Sequence, residues 1–141
     1  MENKYFTPDI EDIRVGYEGE YHNWSMDEAG IPELNYDRWE KAILNKSNVE
    51  IMLKYGIKGF RVPYLTKEQI EAEGWNKNDI SPNLIKKIDE DSYYSVSLNK
   101  DYNIVITKCF INGWSWVWQP FYSGECKDIN TFRYICKLLG I

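Results

Sequence analysis

Three strand-like runs between residues 93 and 122 constrain the fold more than any other part of the sequence. Residues 93–98 alternate aromatic or branched side chains with serine, and residues 103–110 are rich in β-branched residues. A polar turn joins these two runs, and a third run follows Asn112-Gly113. Period-two alternation is typical of strands, and short turns favour antiparallel neighbours. The sequence therefore predicts three adjacent antiparallel strands.

The C-terminus predicts a helix that covers this sheet. Asp128 supplies an N-cap and Gly140 a stop, and the apolar stripe between them comprises Ile129, Phe132, Ile135, Cys136 and Leu139. Such a stripe has to pack against another element, and the sheet is the large candidate. We therefore predict an α+β fold: a mostly antiparallel sheet of five or six strands with two or three helices packed on one side, including the C-terminal helix.

Two shorter helices are predicted from capping-box patterns, in which the first side chain accepts from an early amide and the fourth reaches back. Ser47-Asn48-Val49-Glu50 is the first pattern and predicts a helix over residues 48–55. Thr66-Lys67-Glu68-Gln69 is the second and predicts a helix over residues 67–73.

Further segments complete the predicted sheet. Residues 14–22 alternate polar and apolar side chains and predict a half-buried strand, and residues 60–64 predict another. Residues 36–44 fit a helix or a strand, and we favour a strand. Residues 84–88 fit a turn or an edge strand, whereas residues 23–32 predict a long loop.

Length and charge limit the classes of function. The chain has 141 residues without a repeat or a linker, so we predict one domain over residues 1–141. Its 17 Lys and Arg against 22 Asp and Glu give a formal net charge of −5. Proteins that bind nucleic acids gain affinity from clustered basic residues. An acidic chain without a basic run therefore argues against an extended nucleic acid as partner.

The sequence also bears on compartment and cofactors. No basic start precedes an apolar N-terminal stretch, and no apolar run approaches the roughly 18–20 residues that span a bilayer. The three cysteines lack Cys-x-x-Cys spacing, which favours reduced, mostly buried thiols. We therefore expect a cytoplasmic protein without membrane association. The single histidine, His22, excludes a multi-histidine metal site within one chain, and we expect no cofactor.

Alternating tryptophans at Trp114, Trp116 and Trp118 are the most unusual local feature. On a strand, all three rings would lie on one face. They would then form a stacking platform for bases or sugars. Alternatively, they would fill the space between the sheet and the C-terminal helix, which is the interpretation that we favour.

A second candidate site comprises Glu18, Glu20 and His22, which share one face of a predicted strand. Their oxygen and nitrogen donors suit a divalent ion or an acid–base pair. These positions extend over roughly 13 Å, however, so they cannot meet one ion without further ligands. We favour a solvated sheet face and assign no catalytic residue and no metal site.

Two other residues have a functional and a passive interpretation. Arg61, near Tyr64, would bind a carboxylate or phosphate through two N–H groups, or it would pair with a nearby glutamate, as is commoner. Cys126 precedes the predicted C-terminal helix and Lys127, a setting that lowers the pKa of reactive thiols. For Cys126 we favour the passive interpretation.

Three stretches together resemble a known group of proteins: residues 6–18 (FTPDIEDIRVGYE), residues 61–75 (RVPYLTKEQIEAEGW) and residues 132–141 (FRYICKLLGI). They are similar to small uncharacterised proteins that bacteriophages, prophages and mobile elements of gut-dwelling bacteria encode. That group has no established activity and no catalytic residues to transfer. The resemblance implies a small accessory protein that acts inside an infected or lysogenic bacterium.

Two functional hypotheses follow. The first is a non-enzymatic binding protein that inhibits a host protein, for instance a defence protein, because surplus aromatic side chains are typical of interface cores. The second is a homo-oligomeric sponge for a small nucleotide signal, held by Trp or Tyr stacking, Tyr64 included, and by Arg61 or a lysine on the phosphate. An enzyme built on Glu18, Glu20 and His22 and a minor virion component are weaker alternatives.

Overall fold

The computed structural model of this chain describes residues 4–26, 32–57 and 59–141. The chain divides into two compact units, Met1–Tyr64 and Leu65–Ile141, which we name the N-terminal unit and the C-terminal unit. Both contain an antiparallel sheet and at least one α-helix, so the predicted α+β class is confirmed, with the strands distributed over two sheets. A single domain over residues 1–141 stays a prediction.

The N-terminal unit contains a four-stranded sheet in the order β1-β4-β2-β3, with every pair antiparallel. Its elements are β1 (Tyr5–Phe6), a 3₁₀ helix (Ile10–Asp12), β2 (Glu18–Met26), β3 (Pro32–Ile43), α1 (Lys46–Tyr55) and β4 (Phe60–Pro63). The core of this unit consists of Ile13, Tyr17, Leu44, Phe60 and Val62. The strands predicted over residues 36–44 and 60–64 are therefore confirmed.

Gly19 leaves room for the ring of Phe60 in this sheet. A Cβ at position 19 would collide with that ring and would lie 2.7 Å from the carbonyl oxygen of Arg61. Since real Cβ atoms do not approach backbone so closely, any larger residue has to displace the Phe60 ring or the β4 backbone.

Two predicted boundaries in the N-terminal unit were wrong. β2 begins at Glu18 rather than Arg14, because Gly16 has a φ of +90° and turns the chain just before the strand. Residues 23–26, predicted as loop, continue β2, and β3 already begins at Pro32. The rest of that predicted loop, residues 27–31, lies outside the described residues.

The cap of α1 also differs from the prediction. Asn45, not Ser47, is the N-cap: its side chain accepts from the Asn48 amide at 2.9 Å, and the Asn48 side chain accepts from the Asn45 amide at 3.1 Å. The helix begins at Lys46, so Ser47 falls inside its first turn. The predicted Thr66–Gln69 capping box, by contrast, is present at the start of the next helix.

The C-terminal unit contains a five-stranded antiparallel sheet in the order β5-β6-β7-β8-β9. Its elements are α2 (Lys67–Ala72), β5 (Asn76–Lys77), β6 (Leu84–Asp89), β7 (Ser92–Leu98), β8 (Asn103–Asn112), β9 (Ser115–Glu125) and α3 (Ile129–Leu139). The predicted β7–β8 hairpin, the third strand and the C-terminal helix are confirmed. β6 is an interior strand rather than the edge strand or turn that its short apolar run indicated.

One face of this sheet packs against α3. Asp128 caps the helix by accepting from the Thr131 amide at 3.0 Å, and Gly140 ends it in the left-handed conformation. The shared core joins residues of the sheet to residues of α2, of α3 and of the segment after α2: Leu84, Val96, Ile104 and Ile106 with Ile70, Trp75, Ile129, Phe132 and Ile135. We call this side of the sheet the inner face and the opposite side the outer face.

Candidate functional site: an exposed aromatic patch

The outer face of the C-terminal sheet carries a row of large side chains on three adjacent strands. Tyr93 on β7 lies opposite Cys109 on β8, and Cys109 lies opposite Trp118 on β9. Ile111 lies opposite Trp116 in the next row on the same face, because side chains two residues apart point the same way. The rings of Tyr93 and Trp116 pack with their centroids 5.8 Å apart.

Ile111 and the three tryptophans are exposed, whereas Tyr93 is half-buried and Cys109 is buried. Trp116 exposes 44% of its surface, Trp118 exposes 63%, and Trp114 is fully exposed. We name Tyr93, Ile111, Trp114, Trp116 and Trp118 the aromatic patch. Ile111, Trp116 and Trp118 adjoin on one face, and exposed apolar patches of this kind are candidate interaction sites.

The interpretation that the tryptophans fill the space between sheet and helix was therefore wrong. The reason lies in the strand register. Ile104 and Ile106 point to the inner face. Cys109 is an odd number of residues from both on the same strand, so its side chain points to the outer face, and Trp118, which pairs with it, does the same. A period-two pattern shows which residues share a face, but it does not show which face the helix covers.

Trp114 does not lie on the strand with the other two. It forms the two-residue turn between β8 and β9 together with Gly113, whose φ is +65°. This hairpin extends past the start of β7, where the Ile111 amide donates to the Asp91 carbonyl at 3.1 Å. Trp114 therefore projects from the end of the sheet and contacts no other aromatic ring in the described part of the chain.

Cys109 forms the floor of the patch. It is only 1% exposed, and burial raises the pKa of its thiol. The pKa of Tyr93 is also raised, mainly by burial and secondly by its hydrogen bond with Cys109. Cys109 therefore lies beneath the exposed rings, and its raised pKa favours the protonated thiol.

Two rows of the outer face beside the patch contain no carboxylate, whereas Asp91 lies at the end of the patch next to Ile111, whose amide donates to the Asp91 carbonyl. The row of Trp118, Cys109 and Tyr93 continues to Lys87 on β6, and the next row consists of Pro120, Thr107, Ser95 and Ile85. Lys87 is the one charged residue in these two rows. Depletion of charge around exposed aromatic rings is characteristic of the centre of a protein interface.

In the N-terminal unit, by contrast, the candidate residue Arg61 is engaged by other side chains of the chain. Arg61 donates through Nε and Nη2 to Oε1 of Glu20, at 3.2 and 2.9 Å. Its guanidinium carbon lies 3.6 Å from the ring centroid of Tyr5 and 3.9 Å from that of Trp39. Arg61 thus has a carboxylate partner in its plane and stacked aromatic rings. The structure supports pairing with a glutamate rather than a free phosphate clamp.

His22 belongs to the same stack. It is 5% exposed, and its ring centroid lies 3.5 Å from that of Trp39. Glu20 is paired with Arg61, and Glu18 is half-buried. The expectation of a solvated strand face was therefore wrong for Glu20 and His22, because β1 and β3 bring Tyr5 and Trp39 over it. Tyr64 contacts a different ring, that of Phe6, with centroids 4.9 Å apart.

A groove of about 670 Å³ lies beside α1 in the N-terminal unit. Its lining is mainly apolar and includes Leu44, Ile51, Met52, Tyr55 and Phe60. The whole of α1 is described and none of its residues is buried, so it keeps Ile51 and Tyr55 exposed. The groove was not predicted from the sequence. The signal that could have indicated it is the set of apolar residues Ile51, Met52 and Tyr55 on a helix that buries none of its residues.

Metal and thiol chemistry find little support in the described residues. Among residues 4–26, 32–57 and 59–141, no three His, Cys, Asp or Glu side chains converge for a metal ion. Burial, followed by the charge of Asp128, raises the pKa of Cys126 to about 12. The expectation that the helix start and Lys127 lower this pKa was therefore wrong. Cys126 has no exposed surface, which supports the passive interpretation.

Sequence reasoning missed three contributors to these two clusters. Tyr93 and Ile111 complete the aromatic patch, and Trp39 completes the stack on Arg61. Aligning the three predicted strands of the C-terminal unit in register would have placed Tyr93 beside the tryptophans. The contact of Trp39 with Arg61 depends on the pairing of β4 with β2, which lie far apart along the chain.

Among the described helices, none is long and apolar enough to cross a membrane. Comparison of the chain with protein-family models, with curated proteins and with solved structures found no match.

Proposed function

We propose that this protein is a non-enzymatic binding protein of a bacteriophage or mobile element, which acts inside the bacterial host and inhibits a host protein by docking on it. The observation that supports this proposal best is the exposure of Trp114, Trp116 and Trp118. Host defence proteins are the class of target that fits the phage context.

The energetics of the patch favour a protein partner. Covering a partly exposed indole removes roughly 100–150 Å² of mostly apolar surface from water, out of the 150–250 Å² that aromatic residues bury. At about 25 cal/mol per Å², each of Trp116 and Trp118 would contribute about 2.5–4 kcal/mol before the costs of association. Clustered tryptophans at this scale are typical of binding hot spots.

The rigid support of the patch strengthens the proposal. β8 pairs with a neighbour on each side, and Cys109 is packed beneath the rings. The backbone beneath the rings is therefore ordered before binding, which reduces the entropic cost of association.

The experiment is affinity capture from host lysate with matched variants. The wild type is compared with the double variant Trp116→Ser/Trp118→Ser and with Leu138→Ser, which removes an exposed apolar side chain of α3. We expect one host protein to be retained by the wild type and by Leu138→Ser, and lost with the double variant. Equal retention by the double variant would contradict the proposal.

A nucleotide sponge is a second candidate, supported by the alignment of Trp118 with Lys87 across the outer face. An exposed indole stacks on a base, and a lysine binds phosphate. The engagement of Arg61 with Glu20 removes the cation first considered for this role. A sponge predicts a rise in Tm of several degrees with one nucleotide of a linear and cyclic panel, and loss of that rise in Lys87→Gln. A flat panel would eliminate it.

A further inference from the structure

We propose that a second copy of this chain pairs with the free edge of the C-terminal sheet, strand against strand, through residues 115–119 of β9. The two copies would then share one continuous sheet. This inference goes beyond the proposed function, because it concerns the edge of the sheet and not its outer face.

The edge in question is long and open. β9 is the terminal strand of its sheet and has 11 residues. In the segment 115–119 only Val117 is half-buried, and the other residues are exposed. Among the described residues, no hydrogen bond reaches the backbone of Trp116 or Trp118 from beyond the sheet. Open edges of this kind are templates for pairing with another strand.

The β8–β9 hairpin determines which backbone groups point outward. Its turn has two residues, so the flanking pair Asn112–Ser115 is hydrogen-bonded and the next pair, Ile111–Trp116, is not. The Ile111 amide confirms this alternation, because it donates away from β9 to the Asp91 carbonyl. Trp116 and Trp118 therefore direct their N–H and C=O groups away from β8, toward the open edge.

This geometry is self-complementary in the antiparallel register that is centred on Val117. A two-fold axis beside Val117 places Trp116 of each copy opposite Trp118 of the other. Since both residues direct their backbone groups outward, each of these two pairs exchanges two hydrogen bonds. Pro120, which has no N–H, ends the segment that can pair.

The side chains are compatible with the same register. The paired indoles of Trp116 and Trp118 would lie side by side on the outer face, where cross-strand aromatic pairs stabilise sheets. Residues 115–119 carry no charge, so the pairing opposes no like charges directly. Pairing would therefore place the tryptophans of both copies side by side on one continuous outer face.

The size of the interface predicts a weak dimer. Five residues and two indoles from each copy cover less than the roughly 800 Å² per partner of a stable standard-size interface. We therefore expect a dissociation constant in the micromolar range. Each copy also has a net charge of −5, so the copies repel at long range and salt should strengthen their association by screening.

The first test is sedimentation equilibrium of the intact chain between about 1 and 100 µM. We expect the mass of the wild type to rise from 16.8 kDa toward twice that value, and to rise further in about 0.15 M than in about 0.01 M salt. Val117→Lys places two like charges opposite each other and should remain at 16.8 kDa. Leu138→Lys, with the same change of charge on α3, should dimerise at least as well as the wild type.

Two results would overturn the inference: a wild type that stays monomeric over this range, or a Val117→Lys variant that dimerises like the wild type. A circular-dichroism melt of Val117→Lys establishes that the variant is folded.

A cross-link provides a test that does not depend on Val117→Lys folding. In the inferred register the two Val117 residues form a non-hydrogen-bonded pair, with Cα atoms about 4.5 Å apart, within the range of disulfides. Val117→Cys should therefore form a disulfide-linked dimer under a mild oxidant, and Leu138→Cys should not. Equal or absent cross-linking in both variants would contradict the register.

The inference and the proposed function fail separately. Val117→Lys abolishes pairing while keeping Trp116 and Trp118, so it should still retain the host protein, with lower avidity. The Trp116→Ser/Trp118→Ser variant loses the host protein whether or not the copies pair.

Discussion

Each of the two units of this protein contains a cluster of aromatic side chains, and the clusters differ in how far their members are engaged within the chain. In the N-terminal unit, Tyr5, Trp39 and His22 surround the Arg61–Glu20 pair. In the C-terminal unit, the aromatic patch lies on an uncovered sheet face.

The difference shows that exposure, and not residue type, separates a structural cluster from a candidate binding surface. From the sequence, Arg61 is a candidate to bind a ligand carboxylate or phosphate. In the structure its guanidinium instead donates to Glu20 and stacks on two aromatic rings. The tryptophans resemble a core in sequence, yet Trp118 leaves most of its surface in water. Five predictions test this contrast, and the largest expected effect comes first.

Buried and exposed aromatics of the C-terminal unit should differ most. Phe132 is 1% exposed and packs edge-on against Trp75, so Phe132→Ala should lower the free energy of unfolding by about 3–5 kcal/mol. Urea denaturation measures this value. An effect below about 1 kcal/mol would show that α3 does not pack on the sheet as described.

Gly19 tests the packing of the N-terminal sheet. Gly19→Ala should destabilise by about 1–3 kcal/mol, because the new methyl group collides with the Phe60 ring and approaches the Arg61 backbone. Gly124→Ala is the matched control, since its Cβ would meet only the movable Tyr122 side chain. Equal losses in the two variants, measured by urea denaturation, would show that Phe60 does not lie over Gly19.

The Arg61–Glu20 pair provides the next effect. Glu20→Gln keeps the shape of the side chain but removes its charge, and Arg61 remains held between Tyr5 and Trp39. We expect a loss of about 1.5 kcal/mol, since both groups are partly solvated and bonds to charged groups contribute about 1.5–3 kcal/mol. No loss in thermal or urea unfolding would indicate that Arg61 is free to bind a ligand after all.

Cys126 predicts a dependence on alkaline pH. Its folded pKa is raised to about 12 by burial, above the usual 9.0, so the unfolded chain releases the proton first. The contribution of this thiol to stability is therefore complete below pH 9 and falls by about 1.4 kcal/mol per unit as pH rises toward 12. Unfolding free energies at pH 8 and 10 should diverge more in the wild type than in Cys126→Ala. Parallel pH profiles would show that Cys126 is accessible to water.

The smallest effect on stability should come from the patch itself. Trp114→Ala and Trp118→Ser should change the free energy of unfolding by less than about 0.5 kcal/mol, as exposed positions usually do. Thermal unfolding compares them with the wild type. A loss of several kcal/mol in Trp118→Ser would place this ring in the core and remove the contrast between the two clusters.

Local signals in the sequence were sufficient for much of the fold. Asp128 and Gly140 bound α3 as predicted, Thr66 and Gln69 cap α2, and the β7–β8 hairpin follows from alternation and its turn. These elements depend on interactions within a few residues, which a sequence displays directly.

Non-local pairings could not be predicted in the same way. Arg61 meets Glu20 because β4 lies beside β2, 41 residues away along the chain, and nothing in either segment specifies that pairing. The Trp116–Trp118 face was misassigned for a related reason, since α3 could cover either side of a strand with apolar residues on both. The irregularity between Ile106 and Thr107 in the β8–β9 pairing, where an extra β9 residue enters, further hides the alternation.

Hydroxyl-radical footprinting of the dilute chain, read residue by residue by mass spectrometry, measures whether the aromatic patch is open. We expect Trp114 and Trp118 to be oxidised nearly as fast as in the urea-unfolded chain, Trp116 at an intermediate rate, and Trp75, which is 2% exposed, to be protected. Protection of Trp118 to the level of Trp75 at a concentration where the chain is monomeric would contradict an open docking surface on the outer face.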